Sequence, residues 1–198
     1  SRKMAYYTGV NIDGATLQPI KRTSDRWQYD ARIDRAYQIG GNFYRGNDFD
    51  QGHLVRRLDP AWGTQAKRAI IDTFTYTNCA PQHAKLNRDE WSDLEDYILK
   101  NTGVYDLRVT VFTGPVMRAN DPLYKGIQVP MEFWKVVVMV KKIGTGMPSA
   151  TAYMQTQRNL LNFRDFEFGT FRTYQVKVSE VEAVTQLSFA DLSQHDPL

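Results

Sequence analysis

The sequence predicts one mixed α+β domain with a central, mostly antiparallel sheet flanked by helices. Three observations carry that expectation. Leu107 to Thr113 (LRVTVFT) and Trp134 to Lys142 (WKVVVMVKK) are β-branched, apolar runs closely followed by glycine, the pattern of strands inside a sheet. From Asn87 the period changes, and Trp91, Leu94 and Ile98 recur at three- and four-residue steps as on one face of a helix. The 198 residues show no internal repeat, low-complexity segment or linker, so residues 1–198 read as a single domain able to bury a core without disulfides or a structural metal.

In chain order, Tyr6 to Ile12 alternates as a strand, and Asp13-Gly14 is a two-residue hairpin signal with Leu17 to Ile20 as the return. Lys21 to Arg35 is polar and gathers Arg22, Arg26, Arg32 and Arg35 around Trp27 and Tyr29. It reads either as a solvated loop or as an arginine cluster facing phosphates. Gly40-Gly41 and Gly46-Asn47 break the chain around Asn42 to Arg45, so Asp50 to Arg57 emerges from turns as a short strand. Asp59-Pro60-Ala61-Trp62-Gly63 marks another turn, and Thr64 is a candidate cap for a helix over Gln65 to Thr73, with Ala66, Ala69 and Ile70 on one face. Phe74 to Asn78 looks extended. Asn87 stands where an N-cap would, and Asn101 with Gly103 supplies the stop of its helix. Gly144 to Ser149 reads as a loop, and Ala150 to Gln155 and Phe171 to Val178 as strands. Ser179 and Glu182 have capping-box spacing at the start of a short helix.

Composition removes several classes of function. Lys plus Arg (25) against Asp plus Glu (22) leaves only +3, so whole-chain charge does not announce a polyanionic partner. Cys79 is the sole cysteine, which excludes an intrachain disulfide, a Cys-rich zinc site and a redox pair. It lies in a Thr-Asn-Cys-Ala-Pro-Gln turn with no sign of a helix N-terminus to activate a thiol. There is no Gly-x-Ser-x-Gly elbow and no phosphate-cradling Gly-x-x-x-x-Gly-Lys loop. No apolar run reaches the ~18 residues that span a bilayer, so no membrane partner is expected. The start lacks a signal-peptide core and does not begin with Met, consistent with a piece of a longer precursor. The expected compartment is secreted or periplasmic if a leader has been removed, and cytoplasmic otherwise.

Acid–base chemistry can draw on only three histidines, His53, His83 and His195. His53 is the best placed, following Gly52 at the edge of an apolar-flanked strand, whereas His83 lies among Gln82 and Lys85 and His195 in a polar tail. A histidine alone is more often structural than catalytic, so its partners decide. Asn87 and Glu95 lie about two turns apart and within roughly a quarter turn of the same helix face, given ~3.6 residues per turn. Asn87 is either a plain N-cap or a neutral oxygen ligand, and Glu95 either a solvated helix face or a carboxylate for a hard cation. A base, a neutral oxygen ligand and a carboxylate together suit metal-assisted hydrolysis.

Two motifs stand at these positions. The first is Asp50-Gln51-Gly52-His53, followed by Leu54-Val55-Arg56-Arg57. The second runs Thr77-Asn78-Cys79-Ala80-Pro81-Gln82, then Leu86-Asn87, Trp91 and Leu94-Glu95. In residue type, order and spacing they resemble the DNA/RNA non-specific endonucleases, the family of sugar-non-specific bacterial nucleases and mitochondrial endonuclease G, built on a ββα-metal (His-Me) finger. Phe112-Thr113-Gly114-Pro115, Val129-Pro130 and Phe133-Trp134-Lys135 are similar to the family's sheet region, so the likeness runs from about Trp27 onward.

The resemblance implies Mg²⁺-dependent hydrolysis of phosphodiester bonds in DNA and RNA, with little sequence preference, 5′-phosphate products and Mn²⁺ able to substitute. It makes His53 the general base, Asn87 the direct metal ligand and Glu95 an outer carboxylate acting through water. Asn78 would support the histidine or substrate side, and Asp50 would fix the loop. Gln51 departs from the family's arginine and brings no positive charge to a transition state that gains negative charge. Arg56 or Arg57 are candidates to supply it, and Arg26 or Arg22 to be the family's upstream phosphate contact. The alternative is a nuclease-like nucleic-acid-binding module whose catalysis is impaired at Gln51. A homodimer is left open.

Overall fold

The computed structural model describes residues 2–22, 26–88, 90–140, 148–158 and 173–198. In chain order the elements are β1 (Thr8–Asp13), β2 (Phe49–His53), α1 (Ala66–Asp72), β3 (Cys79–His83), α2 (Ala84–Arg88) and α3 (Glu90–Val104), then β4 (Arg108–Val116) and the short pair β5 (Leu123–Tyr124) and β6 (Ile127–Gln128). They end with β7 (Glu132–Val140), β8 (Pro148–Thr156), β9 (Thr173–Val176) and α4 (Val178–Thr185). Five strands form one antiparallel sheet in the order β1-β4-β7-β8-β9, while β2 and β3 form a separate two-stranded ribbon. The mixed α+β class expected from the sequence is the one observed.

Strand β7 explains how the sheet carries two layers. Successive side chains of a strand point to opposite faces, so Trp134 and Val136 go one way and Phe133 and Lys135 the other. Trp134 and Val136 pack with Ala150 and Ala152 of β8 against Val178 and Val181 of α4. On the opposite face Phe133 packs with Leu54, Ala80, Leu86 and Trp91, which joins the ribbon and the start of α3 to the sheet. Ile98 of α3 continues this layer against Ile12, Val109 and Val111. Phe133 through Val136 are buried because both faces are covered there, and so the strand reads as a continuous apolar run rather than an alternation.

Several local expectations are corrected. Asp13-Gly14 makes no hairpin: β1 pairs with β4, and Leu17 instead bridges to Trp62. The Asp13 carboxylate accepts from the Ala15 N–H at 3.2 Å and opens a single 3₁₀ turn. Gly14 is there for close approach, since a Cβ on it would lie 2.0 Å from the Thr102 carbonyl oxygen at the end of α3. The strand expected over Asp50 to Arg57 stops at His53. Phe74 to Asn78 is not extended but ends in a 3₁₀ turn, and Cys79, expected in a turn, begins β3. Helix α1 starts after Gln65 with no side-chain cap, so Thr64 does not cap it.

Asn87 is not an N-cap. The chain enters helix earlier, at Ala84, whose N–H donates to the Asp48 carbonyl at 2.9 Å, and Asn87 sits inside α2. The capping box at Ser179 and Glu182 does not form, because tertiary partners replace it: Asp196 accepts from the Val178 N–H and Glu182 from the Phe189 N–H, both at 2.6 Å. Pro148 and Ser149, expected in a loop, open β8, while the rest of Gly144 to Ser149 lies outside the described residues. Lys141 and Lys142, the end of the expected second core strand, lie outside them too. Of Phe171 to Val178, residues 171 and 172 are also outside, 173–176 are strand, and Val178 already belongs to α4.

A methyl group at Gly14 has rigid backbone to meet rather than a side chain that can swing away. Gly14→Ala is therefore expected to lower stability by about 1–3 kcal/mol, read as a lower denaturation midpoint. An unchanged midpoint would show that the end of α3 moves freely from β1.

Candidate active site

The β2–β3 ribbon and the helices after it form one wall and the floor of a cleft. In the ribbon Asp50 faces Gln82, Gln51 faces Pro81, Gly52 faces Ala80 and His53 faces Cys79. Gly52 is required here by packing, because a Cβ would lie 2.0 Å from Oε1 of the fully buried Gln82. His53 thus ends a strand whose last turn of backbone is fixed. Asn78 fixes it further: its Oδ1 accepts from the Val55 N–H at 2.9 Å, and its Nδ2 donates to the carbonyls of Val55 and Thr73 at 3.0 and 2.9 Å. Asn78 is behind the cleft, holding the chain after His53, and is not part of the lining.

His53 is enclosed by aromatic rings, with Trp27 at 4.6 Å between centroids and Phe74 edge-on at 4.8 Å. Burial, then the positive charges of Arg22, Arg57, Lys135 and Arg56, push its pKa down from the usual 6.5 to about 3. The imidazole is therefore neutral at physiological pH. Its Nε2 is buried and makes no hydrogen bond among the described residues.

On the helical side Asp50 reaches across from β2. Its carboxylate accepts from Asn87 Nδ2 at 3.0 Å and from Arg88 Nε and Nη2 at 2.8 and 2.7 Å. With its amide nitrogen committed to Asp50, Asn87 has its carbonyl oxygen to offer to a cation. Glu95, one helix further, lies with Oε1 2.9 Å from Lys135 Nζ and Oε2 3.6 Å from Arg56 Nε. Lys135 is only 1% exposed; it also donates to Thr113 Oγ1 at 3.1 Å and sits 4.6 Å over the Trp91 ring. Nearby Asp59 is buried, and burial followed by the Glu95 charge raises its pKa to about 7, against the opposing pull of Lys135 and Arg56.

These groups line a cleft of about 680 Å³. It brings together His53, Asp50, Gln51, Asn87 and Glu95, along with Arg22, Arg56 and Arg57. Arg26 is exposed and outside the lining. Arg56 and Arg57 are present but engaged: Arg56 also pairs with Asp96, and Arg57 donates to the carbonyls of Ile20 and Lys21 at 3.3 and 3.0 Å. With Arg88, the lining has four arginines against the two carboxylates Asp50 and Glu95, a local positive balance that the net charge of the chain conceals.

The donor set fits a hard cation. Among the described residues no group of three or more His, Cys, Asp or Glu side chains is arranged to hold a metal. An Asn87 oxygen, with Glu95 held back by Lys135 and Arg56, suits an ion that keeps most of its waters.

Three participants escaped the sequence reading. Arg88 adjoins Asn87, and nothing in the sequence around it sets it apart from other charged residues. Lys135 had a signal, a lysine inside the apolar run WKVVVMV at a position that alternation sends to the α3 face. Asp59 was read only as part of a turn, and nothing in its neighbours announces burial.

Known proteins are similar to this chain over much of its length. The sequence profile of the DNA/RNA non-specific endonuclease family matches residues 1–196. An uncharacterized protein of Sinorhizobium fredii, y4fB, is 40% identical over 208 residues, which cover 96% of this chain and 31% of y4fB. A nuclease of Nostoc sp. is 30% identical, over 96% of this chain and 68% of that protein. Human mitochondrial endonuclease G is 34% identical over 61% of this chain and 44% of its own length. The chain thus spans about a third of the first of these relatives and less than half of the last. Among solved structures, that of an EndoG/EndoGI complex shares the fold, with a TM-score of 0.74 at 22% identity over 97% of this chain and 81% of that one. With residues 1–196 matched and the ribbon-and-helix cleft in place, the chain belongs to the DNA/RNA non-specific endonuclease family.

Proposed function

We propose that this chain is a divalent-cation-dependent endonuclease that hydrolyses phosphodiester bonds of DNA and RNA, with Mg²⁺ as the cation. The observation that carries the reading is the cleft itself, in which a neutral, half-buried imidazole and an oriented Asn87 amide line the same space. The family, and relatives named as a nuclease and as endonuclease G, support the same chemistry.

In this reading the substrate phosphate enters a lining whose arginines read charge and not base identity, so sequence matters little. His53 accepts the proton of the attacking water. A pKa near 3 keeps it unprotonated but makes it a weak base in the free protein. Three of the cations that depress it, Arg22, Arg57 and Arg56, line the cleft, and an arriving phosphate offsets their charge, so basicity rises when substrate binds. Asn87 would hold the cation through its oxygen, and Glu95, fixed by Lys135 and Arg56, would orient water around it. When bound, the cation stabilises the negative charge that grows on the phosphate. Gln51 adds a hydrogen-bonding group without charge, and Arg56 or Arg57, which line the same cleft, would supply the positive charge it lacks. An uncharged Gln51 in the cleft also supports a second reading, a site that binds nucleic acid with little turnover.

Incubation of the protein with plasmid DNA and with RNA separates these readings: cleavage with Mg²⁺ that stops in EDTA supports the enzyme, and binding without cleavage supports the module. His53→Ala is expected to lower turnover on the order of 10²- to 10⁴-fold while the fold persists; near-normal turnover would remove His53 from the mechanism. Asn87→Ala is expected to shift the Mg²⁺ titration of activity to higher concentration. Overlaid titrations would reduce Asn87 to a partner of Asp50.

The protonation of His53 has its own test. An unfolded chain protonates this side chain near 6.5, the folded chain only near 3. The neutral imidazole therefore contributes stability that is complete above pH 6.5 and is lost as pH falls toward 3. Between pH 6.5 and 4.5 the parent is expected to lose up to about 2–3 kcal/mol more stability than His53→Gln. Equal losses would show that the folded imidazole titrates near its ordinary value.

A further inference from the structure

The arginine-rich stretch before Asp50 is only partly used by the cleft. Arg22 and Trp27 line it, but Tyr29, Arg35 and Tyr37 do not. Tyr29 and Arg35 are nevertheless joined to it by a run of rings, and Tyr37 belongs to the same single 3₁₀ turn as Arg35. Trp27 lies 4.6 Å from His53 and is nearly parallel to Tyr76, at 6.1 Å and 20°; Tyr76 lies 4.9 Å from Tyr29, and the Arg35 guanidinium stands 4.7 Å over the Tyr29 ring. Along this run the side chains come to the surface, from Tyr76 at 8% exposed to Tyr29 at 38%, and Tyr37, in the turn with Arg35, is 60% exposed.

Arg35 makes no ion pair among the described residues; of the carboxylates beside it Asp30 is paired with Arg32 at 2.7 Å, while Asp34, which accepts from the Ala36 N–H at 2.8 Å, keeps its charge. Exposed tyrosines are unremarkable singly. One of them under an exposed arginine, at the outer end of a ring ladder whose inner end touches the candidate base, with a second in the arginine's own turn, offers the pairing of π-faces and cation that holds unpaired nucleotides. Bases inside a duplex are already stacked on each other and cannot present a face to such a surface.

We propose that Tyr29, Arg35 and Tyr37 form a stacking platform for a single-stranded flank of the nucleic acid whose scissile phosphate lies in the cleft, so that unpaired DNA or RNA is bound in preference to duplex. This rests on the endonuclease reading for the position of the phosphate, but not for the binding it predicts. The platform adds affinity through base faces, which are common to all sequences, and so extends the contact without adding sequence preference.

Fluorescence anisotropy in EDTA, at one fixed salt concentration, compares a labelled single strand with the duplex of the same sequence. The variants are Tyr37→Ala and Arg35→Gln, both at exposed side chains outside the cleft lining. The parent is expected to bind the single strand more tightly than the duplex. Tyr37→Ala is expected to weaken single-strand binding about 5- to 100-fold and to leave duplex binding within about twofold; Arg35→Gln weakens the single strand more than the duplex. Equal losses on both substrates would reduce the patch to general charge attraction and overturn the platform. Unaltered single-strand binding by Tyr37→Ala, or a parent that prefers duplex, overturns it as well. Because no cation is present, the outcome is independent of turnover: a protein that binds as predicted but never cleaves counts against the catalytic reading alone.

Discussion

The Asp50 carboxylate joins the ribbon to the helices, and the geometry of the cleft follows from that one junction. It takes a hydrogen bond from Asn87 and a two-pronged contact from Arg88 at once. Charge-assisted contacts of this kind are directional, so they fix the rotation of α2 against β2 as well as its distance. Asn87 is thereby turned with its nitrogen inward, and its oxygen is the atom available to a ligand. Without the carboxylate, α2 would be a five-residue helix held mainly by the burial of Leu86.

On the other side of the cleft the fold accepts burial that is unfavourable on its own. His53 is held neutral among rings, Lys135 is almost wholly buried, and Asp59 is buried near Glu95. Buried charges are seldom net stabilising unless they are paired. Lys135 is paired in this way, at the end of a chain in which Lys135 meets Glu95, Glu95 meets Arg56 and Arg56 meets Asp96. The Phe133–Trp91 layer between sheet and α3 provides the apolar burial that offsets these terms. A site of this kind places a carboxylate and an imidazole in a cleft without letting either reorganise with solvent.

How much of this was legible in the sequence depended on how locally each feature is determined. The strands β4 and β7 were visible because they are rich in β-branched and apolar residues, with stretches of consecutive burial at 113–116 and 133–136. Strand β3 was not, since Pro81 interrupts it and its pairing with β2 is a long-range contact; a proline fits there because the ribbon has only two strands, each with an open edge. Asp13-Gly14 and Ser179/Glu182 carried good local signals that tertiary partners overrode. The site residues His53, Asn87 and Glu95 were legible through motif spacing, and the structure brings them to one cleft. Arg88, Lys135 and Asp59 were not, because what makes them matter is a partner 36 to 40 positions away, and single-sequence patterns do not report such partners.

The account turns on Asp50 orienting the Asn87 oxygen, and binding of a spectroscopically visible cation reads that orientation directly. Mn²⁺ titrations followed by electron paramagnetic resonance, on the parent and on Asp50→Ala with its folding verified by circular dichroism, provide the comparison. The account predicts one weakly to moderately bound ion in the parent and a loss of affinity of about tenfold or more in the variant, the scale expected when the partner of a metal ligand is removed. Equal Mn²⁺ affinity in the two proteins would contradict it.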